Sequence, residues 1–382
     1  MWGLSIRWFG GSRYMNIHLY RSNNIFASRV QKYINYYERI QADYTAYGWD
    51  RKCEGLQKKN YEFLQYKAGV NVGGFKAIMN HTRWMRYVYS TLKRDTDVTF
   101  IHACDLNSAF PAALYKRYVN RKVKVIFDSC DWFSANFGKN KILKYIFEKM
   151  EKFTCKMADE LIICEPERIE QITFPLRKSP LVLPNIPEID KDLLDGNIDG
   201  FKFDNDWPTL AYFGGFSEGR FLNELLELTK TERFNLLIAG YGSTSIEKLC
   251  KEVSIQSNVR YLGKVDMKTG LQMSQAADLL YAMYCKTNAN HIYAAPNKYY
   301  EALLLGKPII TTKGIILESK VIKNDIGYII DEDIDELRKL INRVSMEDIS
   351  RKGKNALKLW ELYYASYIQS FFDNEYSTLL KH

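Results

Sequence analysis

The stretch Ala-Pro-Asn-Lys-Tyr-Tyr-Glu-Ala-Leu-Leu-Leu-Gly-Lys-Pro-Ile-Ile-Thr-Thr, residues 295–312, decides the fold of the sequence around it. Its Pro-Asn start is typical of a helix N-terminus, and Gly306 and Pro308 end that helix before a β-branched strand at 309–312. The N–H groups of a helix N-terminus favour a phosphate, and the carboxylate of Glu301 can accept hydrogen bonds from sugar hydroxyls. The stretch therefore predicts either a nucleotide-sugar site or an ordinary helix–turn–strand unit.

Segments with strand and helix patterns alternate along the rest of the chain. Such alternation is typical of parallel, doubly wound α/β sheets, and here the series occurs twice. The length of 382 residues is enough for two domains of ordinary size. The predicted strands are 15–20, 45–49, 98–102, 123–127 and 160–164 in the first series, and 209–213, 235–239, 259–262, 279–283 and 309–312 in the second. The predicted helices include 28–40, 111–119 and 142–158, then 222–228, 245–253 and 269–276.

The segment between the two series is rich in Asp, Gly and Asn, which is typical of a linker. We therefore predict an N-terminal Rossmann-like domain over residues 1–183, a linker over 184–207 and a C-terminal Rossmann-like domain over 208–354. The aromatic, helical segment at about 355–382 follows the second domain.

The net charge of +9 is unevenly divided between the two halves. Residues 1–183 carry 30 Lys and Arg against 17 Asp and Glu, whereas residues 184–382 carry 24 against 28. A basic first half predicts an anionic partner for that half alone, such as an anionic membrane surface or a lipid diphosphate; a solvated surface is the alternative. No helix-turn-helix, RNA-recognition or zinc motif accompanies the charge, so we do not expect a nucleic-acid partner.

The cysteine and histidine spacings predict neither a cofactor nor a secreted protein. The seven cysteines have no metal or redox spacing, which favours reduced thiols and a cytoplasmic location. The histidines show no zinc spacing and no Asp-x-Asp motif is present, so we expect no metal. Glycines and arginines interrupt residues 1–13, which do not resemble a signal peptide, and no apolar run is long enough to span a membrane.

The run Pro-Asn-Lys-x-x-Glu followed by Gly-x-Pro, at residues 296–308, closely resembles the donor-site motif of family 4 glycosyltransferases, which have the two-domain GT-B fold. The resemblance implies that Glu301 binds the ribose of a nucleotide sugar and that the helix start lies near its diphosphate. The family often has a second glutamate where this chain has Tyr293, so the identity of the donor sugar stays open. The donor residues implied within this motif are Asn297, Lys298, Tyr299 and Glu301.

The turn Phe213-Gly-Gly-Phe-Ser-Glu-Gly-Arg resembles the glycine-rich donor loop of the same family. Gly214 and Gly215 let the backbone approach a phosphate closely, and Arg220 supplies a planar guanidinium that matches phosphate oxygens. The family commonly has an arginine where this chain has Gly215, so Arg220 and Lys298 would carry the charge neutralisation. A plain strand–helix turn is the alternative. The Gly-x-Gly at Gly240 predicts either a second approach to the nucleotide or only a tight turn.

The segment 101–111 resembles the first of three loops that line the cleft of these enzymes on the N-terminal side. The resemblance implies that Asp105 takes part in the transfer and that Asn107 contacts the acceptor. Cys104 stands where the family frequently has histidine, so no histidine base is expected there. A helix-capping role before Pro111 is the alternative for Asp105.

The segments 127–134 and 21–32 resemble the other two cleft loops. The resemblance implies acceptor contacts for Asp131 and for Arg29. Asp128 and Asp131 are equally well explained as capping residues, and Arg29 as the partner of an acid in its own domain. The lysine-rich amphipathic helix predicted over 139–156 has an apolar face that predicts either core packing or contact with anionic lipid.

Taken in order, these resemblances cover nearly the whole chain and imply a retaining, metal-independent glycosyltransferase. They imply a GT-B fold, with two Rossmann-like doubly wound domains facing a central cleft and the C-terminal helix crossing back to the N-terminal domain. Arg220, Lys298 and the helix start at Asn297 would help the diphosphate to leave. The implied acceptor is a glycan or polyprenyl-diphosphate-linked sugar of bacterial surface polysaccharide (capsule or lipopolysaccharide) synthesis, at the inner face of the plasma membrane. A sugar-nucleotide epimerase of the same fold and a non-catalytic GT-B binding module are the alternatives.

Overall fold

The computed structural model describes residues 15–68, 74–138, 140–188, 196, 198–294 and 296–381. Two predictions fall outside the described residues. One is that residues 1–13 do not form a signal peptide, and the other concerns residues 189–195 and 197 of the predicted linker. The chain forms two compact units. The first unit comprises the described parts of Met1–Ser134, Asn140–Ile163 and Thr173–Leu181, and the second those of Ala135–Lys139, Cys164–Ile172 and Val182–His382. The sequence did not indicate that the two short segments 135–139 and 164–172 group with the second unit.

The first sheet has seven strands in the order β3-β2-β1-β4-β5-β6-β7. The pairs from β3 through β6 are parallel, as predicted. The strand order reverses direction between β1 and β4, which makes the edge beyond these two strands the topological switch point. The strands are β1 (Asn16–Tyr20), β2 (Asp43–Asp50), β3 (Tyr61–Gln65), β4 (Phe100–Cys104), β5 (Lys124–Ser129), β6 (Glu160–Ile163) and β7 (Leu181–Val182).

The described part of the first half of the chain contains the α-helices α1 (Ser28–Arg39), α2 (Gly74–Arg94), α3 (Leu106–Tyr118) and α4 (Lys141–Met157). Helix α2 and strand β3 were not predicted from the sequence. The predicted start of α3 was Pro111, whereas the helix begins five residues earlier and contains this proline. The prediction was wrong because it treated proline as a start signal, although the chain turns into the helix directly after β4, at Asp105 with φ of 64°.

The second sheet has six parallel strands in the order β10-β9-β8-β11-β12-β13, and its switch point lies between β8 and β11. The strands are β8 (Thr209–Phe216), β9 (Asn235–Gly242), β10 (Val259–Tyr261), β11 (Leu279–Ala282), β12 (Ile309–Thr312) and β13 (Gly327–Ile330). The helices are α5 (Leu222–Leu228), α6 (Thr244–Val253), α7 (Met267–Ala276), α8 (Ala289–Ile292), α9 (Asn297–Leu305), α10 (Ile316–Asn324), α11 (Ile334–Arg343), α12 (Met346–Tyr363), α13 (Tyr367–Ser370) and α14 (Ser377–Leu380).

Both faces of the second sheet are buried. Leu236 and Ile238 of β9 belong to one hydrophobic cluster, and Leu237 and Ala239 between them belong to another. Because alternate side chains of a strand point to opposite faces, helices must cover the sheet on both sides. Two doubly wound α/β domains are thus confirmed.

The described part of the chain contains no helix with the length and apolarity needed to cross a membrane.

Helix α9, the helix of the opening motif, is held against the second unit by α12. It ends at Gly306, a left-handed C-cap with φ of 62°, as its glycine predicted. A Cβ placed on Gly353 of α12 would lie 2.3 Å from the carbonyl oxygen of Gly306. The two helices therefore touch backbone to backbone. That the C-terminal helices also cross to the N-terminal domain stays a prediction.

We expect Gly353→Ala to lower the free energy of unfolding by about 1–3 kcal/mol, because the backbone of Gly306 cannot move aside at low cost. Denaturant unfolding followed by circular dichroism would measure this. Gly200→Ala is the matched control, since nothing lies within 4 Å of its added Cβ, and its effect should stay within about 0.5 kcal/mol. Equal effects of the two substitutions would contradict the close packing of α12 on α9.

Candidate functional site

Polar side chains of the second unit meet at the switch point of its sheet. Strand β8 ends with the glycine turn and is followed by a 3-10 turn, Glu218–Arg220, while Tyr284 follows the neighbouring strand β11. Helix α9 brings Lys298 and Glu301 to the same place. In open α/β sheets this edge is where ligands bind, so the two donor motifs of the sequence are brought together where a ligand is expected.

The glycines of the β8 turn make room for a cation. Gly214 has φ of 153°, and a Cβ there would lie 2.7 Å from Nζ of Lys298. Beyond Gly215 the space is open, with nothing within 4 Å of an added Cβ. Gly240 is buried in the adjacent strand, where a Cβ would lie 1.9 Å from the carbonyl oxygen of Gly214. Gly240 therefore allows β9 to pack closely against the turn, but it is not exposed to a ligand.

Two cations of this site rest on aromatic rings instead of on acids. The guanidinium carbon of Arg220 lies 4.0 Å from the ring centre of Tyr284, and Nζ of Lys298 lies 4.5 Å from that of Tyr212. Neither cation has an ion pair or a side-chain hydrogen bond within the described part of the chain, and Nη1 of Arg220 is buried without a partner. Burial lowers the pKa of Lys298 to about 8, a shift that Glu301 opposes and Arg220 reinforces.

Glu301 is a buried residue beside Lys298. It is 3% exposed and accepts no hydrogen bond from any described residue. Burial raises the pKa of Glu301, and the charge of Lys298 partly offsets the rise. A charge held in this way destabilises the protein unless a ligand supplies donors.

The remaining residues of the motif have different settings. Asn297 is exposed in the first turn of α9, as a residue near a phosphate would be. Tyr299, predicted to bind the donor, is 1% exposed and belongs to the hydrophobic core. Tyr293, at the position of the family's second glutamate, donates from its hydroxyl to Glu170 at 3.2 Å.

The aromatic supports Tyr212 and Tyr284 were missed from the sequence. Tyr212 lies inside β8 and Tyr284 two residues beyond β11. From sequence alone, an aromatic residue at the end of a buried strand is interpreted as part of the hydrophobic core. Only the strand order could have shown that Tyr212 and Tyr284 flank the switch point.

In the first unit, the predicted acceptor residue Arg29 forms a buried ion pair with Asp128. The two residues are 4% and 0% exposed, and Nε of Arg29 donates to Oδ2 of Asp128 at 2.9 Å. Burial alone would raise the pKa of Asp128, but the charge of Arg29 and hydrogen bonds from His102 and Arg29 hold it below the usual value. The alternative left open for Arg29, an acid of its own domain, is thus what the structure contains.

Asp105 lies at the N-terminus of α3 without a capping hydrogen bond from its side chain. Burial raises the pKa of Asp105, and the charge of Arg21 opposes the rise. Asn107, one turn into the helix, is buried, whereas Asp131 is exposed in the loop after β5.

His102, Cys104 and Asp128 have ligand-type atoms within 4.8 Å of one another. A metal ion there would compete with the guanidinium of Arg29 for the same carboxylate, and burial raises the pKa of the Cys104 thiol. We therefore interpret this cluster as the polar core around the Arg29–Asp128 pair.

A family model matches part of the chain. The family model described as "Glycosyl transferases group 1" matches residues 200–356, which contain the whole second sheet. A search of curated proteins found no match.

Solved structures match the chain over both units. Sucrose-phosphate synthase (tll1590) from Thermosynechococcus elongatus is 16% identical with a TM-score of 0.72, covering 96% of this chain and 99% of its own. Anabaena Alr3699/HepE in complex with UDP and glucose is 12% identical with a TM-score of 0.69, covering 95% and 100%. A putative UDP-N-acetylglucosamine 2-epimerase from Listeria monocytogenes is 10% identical with a TM-score of 0.61, covering 95% and 97%. These likenesses confirm the predicted GT-B fold.

Proposed function

We propose that the protein is a retaining glycosyltransferase, which moves a sugar from a nucleotide diphosphate sugar to a glycan or lipid-linked acceptor. One observation carries the proposal: within the described part of the chain, Glu301 is buried and accepts no hydrogen bond, and neither of the neighbouring cations Arg220 and Lys298 forms an ion pair. This arrangement lies at the switch point of the second sheet, within the residues that the glycosyltransferase family model matches.

Each group has a role that follows from its chemistry. The donor's diphosphate would be bound by Arg220, Lys298 and the N–H groups at the start of α9, near Asn297. Glu301 would accept hydrogen bonds from the ribose hydroxyls. Because negative charge grows on the leaving diphosphate, fixed cations stabilise the transition state more than the bound substrate. We propose that these cations supply this charge without a metal.

The chemical step we propose retains the anomeric configuration. The acceptor hydroxyl forms the new bond to the anomeric carbon on the face from which the diphosphate leaves. As the bond from that carbon to the phosphate oxygen breaks, a donor phosphate oxygen takes the hydroxyl proton. Asp105, which has no capping role, is our candidate for orienting the reacting groups from the first unit.

The two alternatives differ from this proposal in what they do with a bound nucleotide sugar. An epimerase would change the sugar and release it still bound to its diphosphate, without any acceptor. A binding module would leave the nucleotide sugar intact. Mass spectrometry of a panel of nucleotide sugars incubated with the protein, with and without acceptors, separates the three.

We expect Arg220→Met to lower kcat/KM by about 10²- to 10³-fold, as loss of one hydrogen-bond donor to the transition state does.

Glu301→Gln should weaken binding of the nucleotide sugar by roughly 10- to 100-fold, the equivalent of one or two hydrogen bonds to a charged group. Because burial disfavours the carboxylate, Glu301→Gln should also leave Tm unchanged or raise it. Calorimetry and thermal unfolding measure both effects, with the exposed residues Arg233→Met and Glu227→Gln as controls. Unchanged donor binding in Glu301→Gln would refute the proposed site.

The lowered pKa of Lys298 makes donor binding depend on pH. Below pH 8 the amine is charged before the donor binds, whereas above pH 8 it must take up a proton on binding the diphosphate. The Kd of an intact nucleotide sugar should therefore be constant below about pH 7 and rise towards tenfold per pH unit above pH 8. Lys298→Arg, whose guanidinium stays charged, should remove this rise. A pH-independent Kd of the unmodified protein would rule out the role of Lys298.

We further propose that the protein acts in surface polysaccharide synthesis, at the cytoplasmic face of an anionic membrane. The outer face of α4 supports this proposal, because Ile142, Tyr145 and Ile146 are 74%, 59% and 45% exposed. Exposed lysines flank them on the same helix, at 141, 144, 149 and 152. Apolar side chains among lysines are what binding to an anionic bilayer surface requires.

Vesicle co-sedimentation tests this surface. Binding to vesicles with anionic lipid should fall with rising salt, and should weaken by several-fold per charge in Lys144→Glu and Lys149→Glu, since each lysine contributes about 1 kcal/mol. The double substitution of Ile142 and Ile146 to Ser should reduce it further. The matched control is Ile255→Ser in the second unit, where Ile255 is 89% exposed. Vesicle binding that ignores all of these changes would disprove the α4 surface.

A further inference from the structure

We propose that the first unit contains a binding site for a phosphate-bearing sugar, formed by Arg21, Arg51, His81 and Asn107. The proposal rests on the proposed function only in naming this ligand as the acceptor. All four residues belong to the first unit.

The site lies at the switch point of the first sheet. Arg21 directly follows strand β1, and Asn107 lies in the first turn of α3, which follows β4. The N-terminus of this 13-residue helix adds partial positive charge to the same edge. The first sheet thus places these groups at the edge where its own geometry favours a ligand.

Ser22 links the members of the site. Its carbonyl oxygen accepts a hydrogen bond from Nη2 of Arg51 at 3.2 Å, and its hydroxyl oxygen accepts one from Nδ2 of Asn107 at 2.6 Å. Arg21 is the preceding residue of the chain. Trp49 supports the second guanidinium, since the guanidinium carbon of Arg51 lies 4.6 Å from its ring centre. The guanidinium of Arg51 is therefore held in place before any ligand arrives.

The two guanidiniums have different surroundings. Burial alone would lower the pKa of Arg21, but Cys130 and the nearby carboxylate of Asp105 raise it. No ion pair joins Arg21 or Arg51 to a carboxylate in the described part of the chain, and Nε of each is buried without a hydrogen bond. Arg21 donates only to the weak acceptor Sγ of Cys130, at 3.4 Å. Burial lowers the pKa of Arg51, and no acid opposes this shift. The nearby Arg29 shows the contrast, because Asp128 occupies its guanidinium fully.

Asn107 supplies a hydrogen-bond acceptor. It is 3% exposed, and its amide nitrogen donates to Ser22 and to Nδ1 of His81, at 2.6 and 3.1 Å. Both amide hydrogens are then used, while Oδ1 is buried without a donor. A buried acceptor of this kind needs a hydroxyl or N–H group, which a ligand can bring.

His81 is held as a neutral donor. Burial and the charge of Arg51 lower the pKa of His81, and Nδ1 accepts from Asn107, so the ring hydrogen lies on Nε2. Two guanidiniums and one imidazole N–H suit the several oxygens of a phosphate dianion better than one carboxylate. The unpaired Oδ1 of Asn107 beside them suits a hydroxyl. Phosphate next to hydroxyls is the chemistry of a sugar phosphate, whether free in solution or linked to a lipid through a diphosphate.

Calorimetry with the full-length protein, without donor, tests the site. The probes are glucose, glucose 6-phosphate, inorganic phosphate and N-acetylglucosamine linked to farnesyl diphosphate. We expect one of the two phosphorylated sugars to bind at least tenfold more tightly than glucose or inorganic phosphate. The probe that binds shows whether the phosphate source is soluble or lipid-linked. This comparison needs no variant, so a folding defect cannot obscure it.

Variants then locate the binding. Arg21→Met and Arg51→Met should each weaken it at least tenfold, whereas Arg83→Met, an exposed arginine stacked on Tyr66, should not. Arg233→Met, at an exposed arginine of the second unit, should also leave it unchanged. If neither phosphorylated sugar binds, or if binding survives both Met substitutions, the inference is wrong even where nucleotide-sugar binding is intact. Phosphosugar binding that depends on Arg21 and Arg51 supports the site even if no transfer from a nucleotide sugar is found.

Discussion

The constraint on which this structure depends is the burial of parallel sheets on both faces. A strand covered by helices on both sides can carry almost no polar side chain along its length without leaving unsatisfied groups. Polar groups that bind a ligand therefore tend to lie beyond the carboxyl ends of the strands, where the reversal of strand order opens space. Arg21 and Arg220 follow the central strands β1 and β8 of the two sheets for this common reason.

Local signals allowed the opening motif to be predicted almost to the residue. Gly306 does adopt the left-handed C-cap, and strand β12 does occupy Ile309–Thr312, because these features depend on residues adjacent in the chain. The supports of the site were not predictable in this way. Tyr284 reaches Arg220 across 64 residues of sequence only because β8 pairs with β11. Arg51, which follows β2, reaches Ser22, and His81 of α2 reaches Asn107, through neighbours that the sequence pattern did not reveal.

Arg29 and Arg21 of the first unit have different partners. This difference distinguishes a cation with a structural role from a candidate ligand-binding cation. Arg29 is paired twice over with a buried aspartate, and removing either member of such a pair is expected to leave an uncompensated charge. The resemblance to a cleft loop could not distinguish Arg29 from Arg21, since both lie in the same sequence segment. Burial and hydrogen-bond partners do distinguish the two residues, because only Arg21 retains an N–H donor that no described residue uses.

Aromatic support explains how the unpaired cations can be held in place without being neutralised. An acid would orient Arg220 or Lys298 equally well, but it would compete with the phosphate oxygens of a ligand for the same hydrogens. A ring beneath the cation stabilises it by about 0.5–2 kcal/mol and leaves its N–H groups available. Arg51 over Trp49 repeats this arrangement in the first unit. The ring offsets only part of the free-energy cost of removing the cation from water. An anion that binds to the cation would offset the rest. This property is expected of a binding site rather than of a core.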